Sequence, residues 1–337
     1  MGARARWATG IRAPHGYEAC LGGTLPLRSL AVRSERSNRR EFLLYRAARA
    51  TGRLAPFWLL QVAGAAMGVT FLLVAYSRRR TVLNNLRRVF PGRSRGFRLG
   101  IALRCAAHFG RISLDFIKWS QVPAETLNAM VECEGIENLQ EALARGTGVF
   151  VLSAHFGHWE VAAQWLAVHG FSQALVYRPL ENPLIEEELA AARTRFGNSL
   201  IPKVGATRGM LKALKAGAIV DILIDQKADL EHSVIVTFLG VATPTTPSLA
   251  KIALATGAAV IPLFSYPDGS GYRFRTDPPV PVEPGDTVTT LTQRFNDRVT
   301  REIFAHPHLW FWFHDRWTPR KRRNTGLEPS PPAAPGE

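Results

Sequence analysis

The 337-residue sequence predicts an α/β domain, a layered mixed sheet with flanking helices, preceded by an N-terminal helix suited to a membrane. Three observations predict it. From residue 146 onward, short apolar runs alternate with helical segments across short loops, the pattern of sheet and helix layers packed on one another. Residues 57–76, FWLLQVAGAAMGVTFLLVAY, form a 20-residue stretch with no charge and one Gln. A helix of that length spans ~30 Å, the thickness of a bilayer core. Finally, the net charge of +15 is unevenly placed: residues 1–100 hold nineteen arginines, no lysine and three acids (Glu18, Glu35, Glu41), and the remaining 237 residues are close to neutral.

Taken in order, residues 1–40 are rich in Gly, Arg and Ser without a period and read as a disordered leader. Residues 41–80 hold the membrane-anchoring helix. Arg53 precedes the apolar run and Arg78, Arg79 and Arg80 follow it, a heavier positive flank that puts the main domain in the cytoplasm. Whether the run spans the bilayer or lies in it is left open by Gln61 and the glycines. Residues 81–323 form the main domain. Its first part, 81–145, reads as helical: VLNNLRRVF carries apolar residues at 82, 83, 86, 89 and 90, and Pro91-Gly92 separates it from IALRCAAHFGRISLDFIKW.

The second part, 146–323, is the α/β portion. GTGVFVLSAH is continuously apolar, as a strand buried on both faces requires. WEVAAQWLAVHG is a helix closed by Gly170. QALVYRP is a strand, NPLIEEELAAARTRFG a helix, MLKALKAG a helix and AIVDILID a strand. PSLAKIALATG and AAVIPLFSY repeat the alternation, and TVTTLTQRFNDRVTREIFAHP is a last helix. Residues 324–337 are Pro-rich and read as a disordered tail.

Several function classes are disfavoured. A nucleic-acid-binding fold spreads its bases over the folded domain, whereas arginines around an apolar stretch point to an anionic membrane surface. The three cysteines, Cys20, Cys105 and Cys133, include no Cys-x-x-Cys, so neither a disulfide framework nor a cysteine zinc site is expected. No Walker A, Gly-x-Gly-x-x-Gly or Gly-x-Ser-x-Gly motif occurs, so a covalent acyl-enzyme on such an elbow is not required.

The chemistry concentrates in SAHFGHWE, residues 153–160. His155 stands at a strand's end and Glu160 five residues on, at a helix's start. Open α/β sheets bind ligands at that edge. A neutral imidazole there can take a proton from a hydroxyl, and a carboxylate beside it can fix the ring's tautomer. Glu160 is expected in that role. Oxyanion donors are expected from backbone N–H groups in the 156–158 turn, or from an arginine. His155 and His158 are three apart and invite a metal reading, but no HExxH is present, and a third ligand would have to come from His306, His308 or His314. No metal is expected. Trp310, Phe311, Trp312, Phe313 and Trp317 form an aromatic cluster ahead of a basic run, read either as packed core or as the lining of an acyl groove.

SAHFGHWE resembles the His-x4-acid motif of the lysophospholipid acyltransferase-like superfamily, and among its branches the bacterial lipid A biosynthesis (lauroyl/myristoyl) acyltransferase family. The resemblance runs over roughly residues 42–320, through NNLRRVFP (84–91), EGIENLQEAL (134–143), VYRPLENP (176–183), ARTRFG (192–197), LKALKAGAIVDILIDQ (211–226), TFLGVATPTTP (237–247) and HLWFWFHDRWTPR (308–320). His158 departs from the commoner Asn or Thr. The resemblance implies a glycerolipid acyltransferase-like fold, His155 as general base and Glu160 as its catalytic partner. It implies Arg178, Arg193, Asp225 and Gln226 as substrate-binding positions. No cofactor is implied beyond the co-substrate, acyl-ACP or acyl-CoA. The acceptor would be a membrane glycolipid, foremost a lipid A precursor, acylated at the cytoplasmic face of the bacterial inner membrane. The rival class is a non-enzymatic membrane scaffold holding lipids or partners, which would survive loss of His155. A metal-dependent hydrolase is a second rival.

Overall fold

The computed structural model describes residues 34–317. The tail at 324–337 and most of the leader lie outside them. Residues 35–40, read as leader, instead open the first helix, because the Ser34 hydroxyl accepts from the Ser37 N–H and caps its start.

Four helices come first: α1 (Glu35–Leu54), α2 (Phe57–Val74), α3 (Tyr76–Val89) and α4 (Arg95–Trp119). Pro91-Gly92 separates α3 from α4, and Ser94 caps α4 through the Phe97 N–H at 3.1 Å. There follow α5 (Ala124–Met130), β1 (Val131–Glu134), α6 (Ile136–Ala144), β2 (Val149–Ser153), α7 (Trp159–Val168), β3 (Gln173–Tyr177) and α8 (Pro183–Thr194). The chain continues with β4 (Ser199–Pro202), α9 (Ala206–Lys215), β5 (Ile219–Leu223), β6 (Val234–Phe238), β7 (Val241–Thr245), α10 (Ser248–Thr256), β8 (Ala259–Asp268), β9 (Gly271–Thr276) and α11 (Val288–Ala305). A 3₁₀ turn, Pro307–Leu309, leads into the final stretch.

The main sheet has seven strands in the order β1-β9-β8-β2-β5-β3-β4. It is mixed: β8, β2, β5, β3 and β4 are parallel, while β9 runs antiparallel to β8 and parallel to β1. β6 and β7 form a separate hairpin. All five residues of β2 are buried, which explains its unbroken apolar sequence. Alternation along the central strands sorts their side chains into two cores. Phe150, Leu152, Val220 and Ile222 join α9, α10 and α11 on one face, and Val149, Val151, Ile219 and Ile261 join α6 and α7 on the other. The parallel strands β2, β5 and β3 end at the same edge, which brings residues 154–158, 224–226 and 178 together.

The segment 81–145, read as wholly helical, also contains β1, a sheet-edge strand of sequence VECE with one buried residue. The apolar run 57–76 is broken at Ala75, so α2 covers 57–74 and α3 turns away from it. By length and composition α2 is suited to cross a membrane. It buries only Leu60, Gly64, Gly68 and Leu72, a stripe packed on α4. There the backbones nearly touch: a Cβ on Gly68 would lie 1.9 Å from the Ala106 carbonyl oxygen, and one on Gly110 would lie 2.1 Å from that of Gly64. The outward face of α2 exposes Trp58, Leu59, Val62, Met67 and Phe71.

Candidate active site

The site grows out of the turn between β2 and α7. After the buried strand, Phe156 makes an isolated bridge with Trp310, Gly157 N–H donates to the Leu309 carbonyl at 2.9 Å, and Phe311 N–H donates to the His155 carbonyl at 3.0 Å. Gly157 has φ of +57°, and a Cβ there would lie 1.7 Å from the Ser265 carbonyl oxygen, so the turn admits only glycine. The aromatic segment is thus packed on the His155 turn as core. Trp310, Trp312, Phe313 and Trp317 are buried, and Phe311 stacks edge-on against Phe109 at 4.9 Å while lying 6.5 Å from the His155 ring.

His155 is held by one carboxylate, that of Asp225. Its ring Nδ1 lies 2.8 Å from Asp225 Oδ1, and its backbone N–H donates to Oδ2 at 2.9 Å. Trp310 Nε1–H donates to the same Oδ2 at 2.7 Å. Burial pushes the Asp225 pKa upward, but the neighbouring His155 ring and the donors from His155 and Trp310 hold it at about 2. An ionised carboxylate only accepts, so His155 Nδ1 carries a proton, and the lone pair falls on Nε2 because the Gln226 amide N–H points there. Nε2 lies 2.8 Å from Gln226 Nε2, which donates to it.

Glu160, expected beside the imidazole, is instead gripped by Arg193. Arg193 Nε–H donates to both carboxylate oxygens at 3.1 Å, and Nη2–H donates to Oε1 at 2.6 Å. Both side chains remain partly accessible, 14% for Glu160 and 19% for Arg193. The reason for the exchange is topological. α7 carries Glu160 towards the last turn of α8, whereas Asp225 leaves β5 directly beside the end of β2. Arg178 is exposed just beyond β3, outside these hydrogen-bonded groups. The expected oxyanion donors in the 156–158 turn are also partly spent, since Phe156 N–H donates to the Ala154 carbonyl at 2.7 Å and Gly157 N–H to Leu309.

Two participants escape a reading of the sequence. Trp310 is 85 positions from Asp225 and looks like any core aromatic. Asp221 sits in the middle of β5, paired in register with Val151 and Leu175, and is 7% exposed with Oδ1 unpartnered. Burial pushes its pKa up to about 7, the Glu160 charge adds to the rise, and His155 opposes it. The signal was present in AIVDILID, where an acid interrupts a buried run four residues before Asp225. His158 is fully buried with its ring 4.9 Å from Tyr272, and burial lowers its pKa to about 3. Among the described residues no group of three or more His, Cys, Asp or Glu side chains is placed to hold a metal ion.

Comparison with known proteins bears on this geometry. Residues 34–319 match the model of the family described as bacterial lipid A biosynthesis acyltransferase. The lipid A biosynthesis lauroyltransferase of Escherichia coli (strain K12) is 26% identical over 271 residues, which is 79% of this chain and 87% of that protein. The lipid A biosynthesis myristoyltransferase of the same organism is 25% identical, covering 70% of this chain and 74% of that protein. The phosphatidylinositol mannoside acyltransferase of Mycobacterium tuberculosis (strain CDC 1551 / Oshkosh) is 29% identical over 188 residues, 54% of this chain, and the match spans 58% of that protein's length.

Proposed function

Because the chain belongs to the bacterial lipid A biosynthesis acyltransferase family, we propose that it is a membrane-bound acyltransferase. In this reading it moves a fatty acyl group from acyl-ACP or acyl-CoA to a hydroxyl of a glycolipid. The observation that carries this is the Asp225–His155–Gln226 row at the end of the parallel strands, in which Asp225 holds the ring at Nδ1 and Nε2 faces the Gln226 amide. Of the two acceptor classes named by the relatives, a lipid A precursor is supported by the longer matches, and a mannosylated phosphoinositide by the shorter one.

The steps follow from the residues. The acceptor hydroxyl replaces the Gln226 amide at His155 Nε2 and gives that nitrogen its proton as its oxygen attacks the thioester carbonyl. Asp225 stabilises the imidazolium so formed. Gln226, displaced, and the arginines at the cleft are the donors for the tetrahedral oxyanion, since Phe156 and Gly157 N–H groups are engaged. The C–S bond breaks and the leaving thiolate takes the proton from Nε2. Arg193, clamped by Glu160, and Arg178 offer guanidinium faces for a phosphate of acceptor or donor. The apolar outward face of α2 and the arginines around it hold the enzyme on the inner membrane with its site on the cytoplasmic side.

The test is mass spectrometry of total lipids from cells with the protein, without it, and with His155→Ala. Loss of one acyl chain from a single glycolipid class, restored by the native chain and not by the variant, supports the reading and names the acceptor. A lipid profile restored equally by His155→Ala would point instead to a non-enzymatic membrane protein.

A further inference from the structure

We propose that the outward face of α9 is a docking surface for an acidic carrier protein that brings the acyl thioester, an inference that rests on the thioester-donor reading above. Residues 199–220 contain four bases, Lys203, Arg208, Lys212 and Lys215, and no acid. Ala206, Met210 and Leu214 turn inward and are buried. Arg208, Lys212 and Lys215, spaced four and three apart, share the opposite face and are exposed. With Gly205, Thr207 and Leu211 they line a shallow groove of about 630 Å³. Val204, 90% exposed at the head of this ridge, adds an apolar contact point.

The position of the ridge suits delivery. In the order β2-β5-β3-β4, the end of β4 lies three strand spacings from the end of β2, about 14 Å at the usual separation. That is within the reach of an extended pantetheine arm from the Arg208 end of the ridge; α9 then runs back along the sheet, with Leu214 against Gly148 just before β2, so Lys215 is the ridge cation farthest from His155. Lys203 N–H donates to the Tyr177 carbonyl at 2.7 Å, which ties the segment leading into α9 to the end of β3, next to Arg178. The chemistry of the ridge favours a protein over a bilayer. Its outward residues are cations with one exposed valine and no aromatic anchor, whereas the bulky apolar side chains gather on α2. A row of cations without acids steers an acidic partner and fixes its register, mostly through association rate and with marked salt sensitivity.

The experiment uses the full chain in membranes and the variant Arg208→Glu/Lys212→Glu/Lys215→Glu. One acyl chain is offered on a bacterial acyl carrier protein, on CoA and on free pantetheine. The expected result is a KM for the carrier thioester at least 10-fold higher in the variant, with kcat unchanged and with turnover of the CoA and pantetheine thioesters unchanged. The same KM should rise with added NaCl in the native chain and stay nearly flat in the variant. Single Arg208→Glu and Lys212→Glu changes should move it in the same direction by several-fold, which covers the case of a triple variant that folds poorly. An unchanged carrier KM overturns the proposal. So does a rise confined to the CoA thioester, which would make the ridge a reader of that donor's phosphates, or a loss of binding to phosphatidylglycerol vesicles with carrier KM intact. Absence of transfer from every thioester by the native chain would sink the acyltransferase reading and the docking site together, whereas transfer indifferent to the ridge sinks the docking site alone.

Discussion

Asp225 grips His155 twice, at the ring and at the backbone, and is itself braced by the Trp310 indole. Asp225→Asn keeps the shape but offers an N–H to Nδ1, which forces the proton onto Nε2 and leaves no base. Turnover should fall at least ~10³-fold with KM little changed. Glu160→Ala frees Arg193 and removes the clamp at the cleft; steady-state kinetics should show a loss of at least ~10²-fold, and near-normal turnover would remove Glu160 from the mechanism. Asp221 is a different case. Its carboxyl is raised from 3.8 to about 7 by burial, so the fold tolerates it while it is protonated. Ionisation in the unfolded chain sets in near pH 4, so stability is lost progressively as pH rises from there to about 7. Asp221→Asn should therefore stabilise the protein by up to about 4 kcal/mol at pH 8 and by little at pH 4. Denaturation curves at the two pH values check it, and an equal effect at both would refute the raised pKa. His155 was legible at a strand's end, while the carboxylate that holds its ring lay 70 positions away and no local spacing could announce it.

At the scale of elements, the α2–α4 contact is the most demanding. Gly64, Gly68 and Gly110 let two helix backbones meet without intervening side chains. Gly68→Ala inserts a methyl where no room exists and should lower unfolding stability in detergent by about 1–3 kcal/mol, seen as a lower melting temperature. No change would contradict the close approach of α2 to α4 at Gly68. The long periodic elements and the buried parallel strands were readable because burial dictates their pattern. β1 was missed because an edge strand of four residues, VECE, has a single buried position. The β6–β7 hairpin was missed because its two-residue turn, Leu239-Gly240, places a leucine at φ of +51°, where Asn or Asp would have signalled a tight reversal.

At the scale of the whole molecule, apolar surface and charge are segregated. One side of α2 exposes Trp58, Leu59, Val62, Met67 and Phe71, while its other side is fused to the catalytic domain through α4. α2 is thus part of the body rather than a tether. Replacing Trp58 and Val62 by Asp should move the protein from the pelleted membrane fraction to the supernatant while leaving its fold intact by circular dichroism. Retention on the membrane would assign attachment to another surface.

The clasp of Leu309, Trp310 and Phe311 on the His155 turn has a consequence in time. A ribosome completes the strand, turn and helix of SAHFGHWE some 150 residues before it adds Trp310. By then α2 has long been available to a bilayer. A nascent chain can therefore present α2 while His155 still lacks the brace on Asp225 and the backbone partners at 309 and 311. The site is completed late in synthesis, when a distant segment closes on a turn made much earlier.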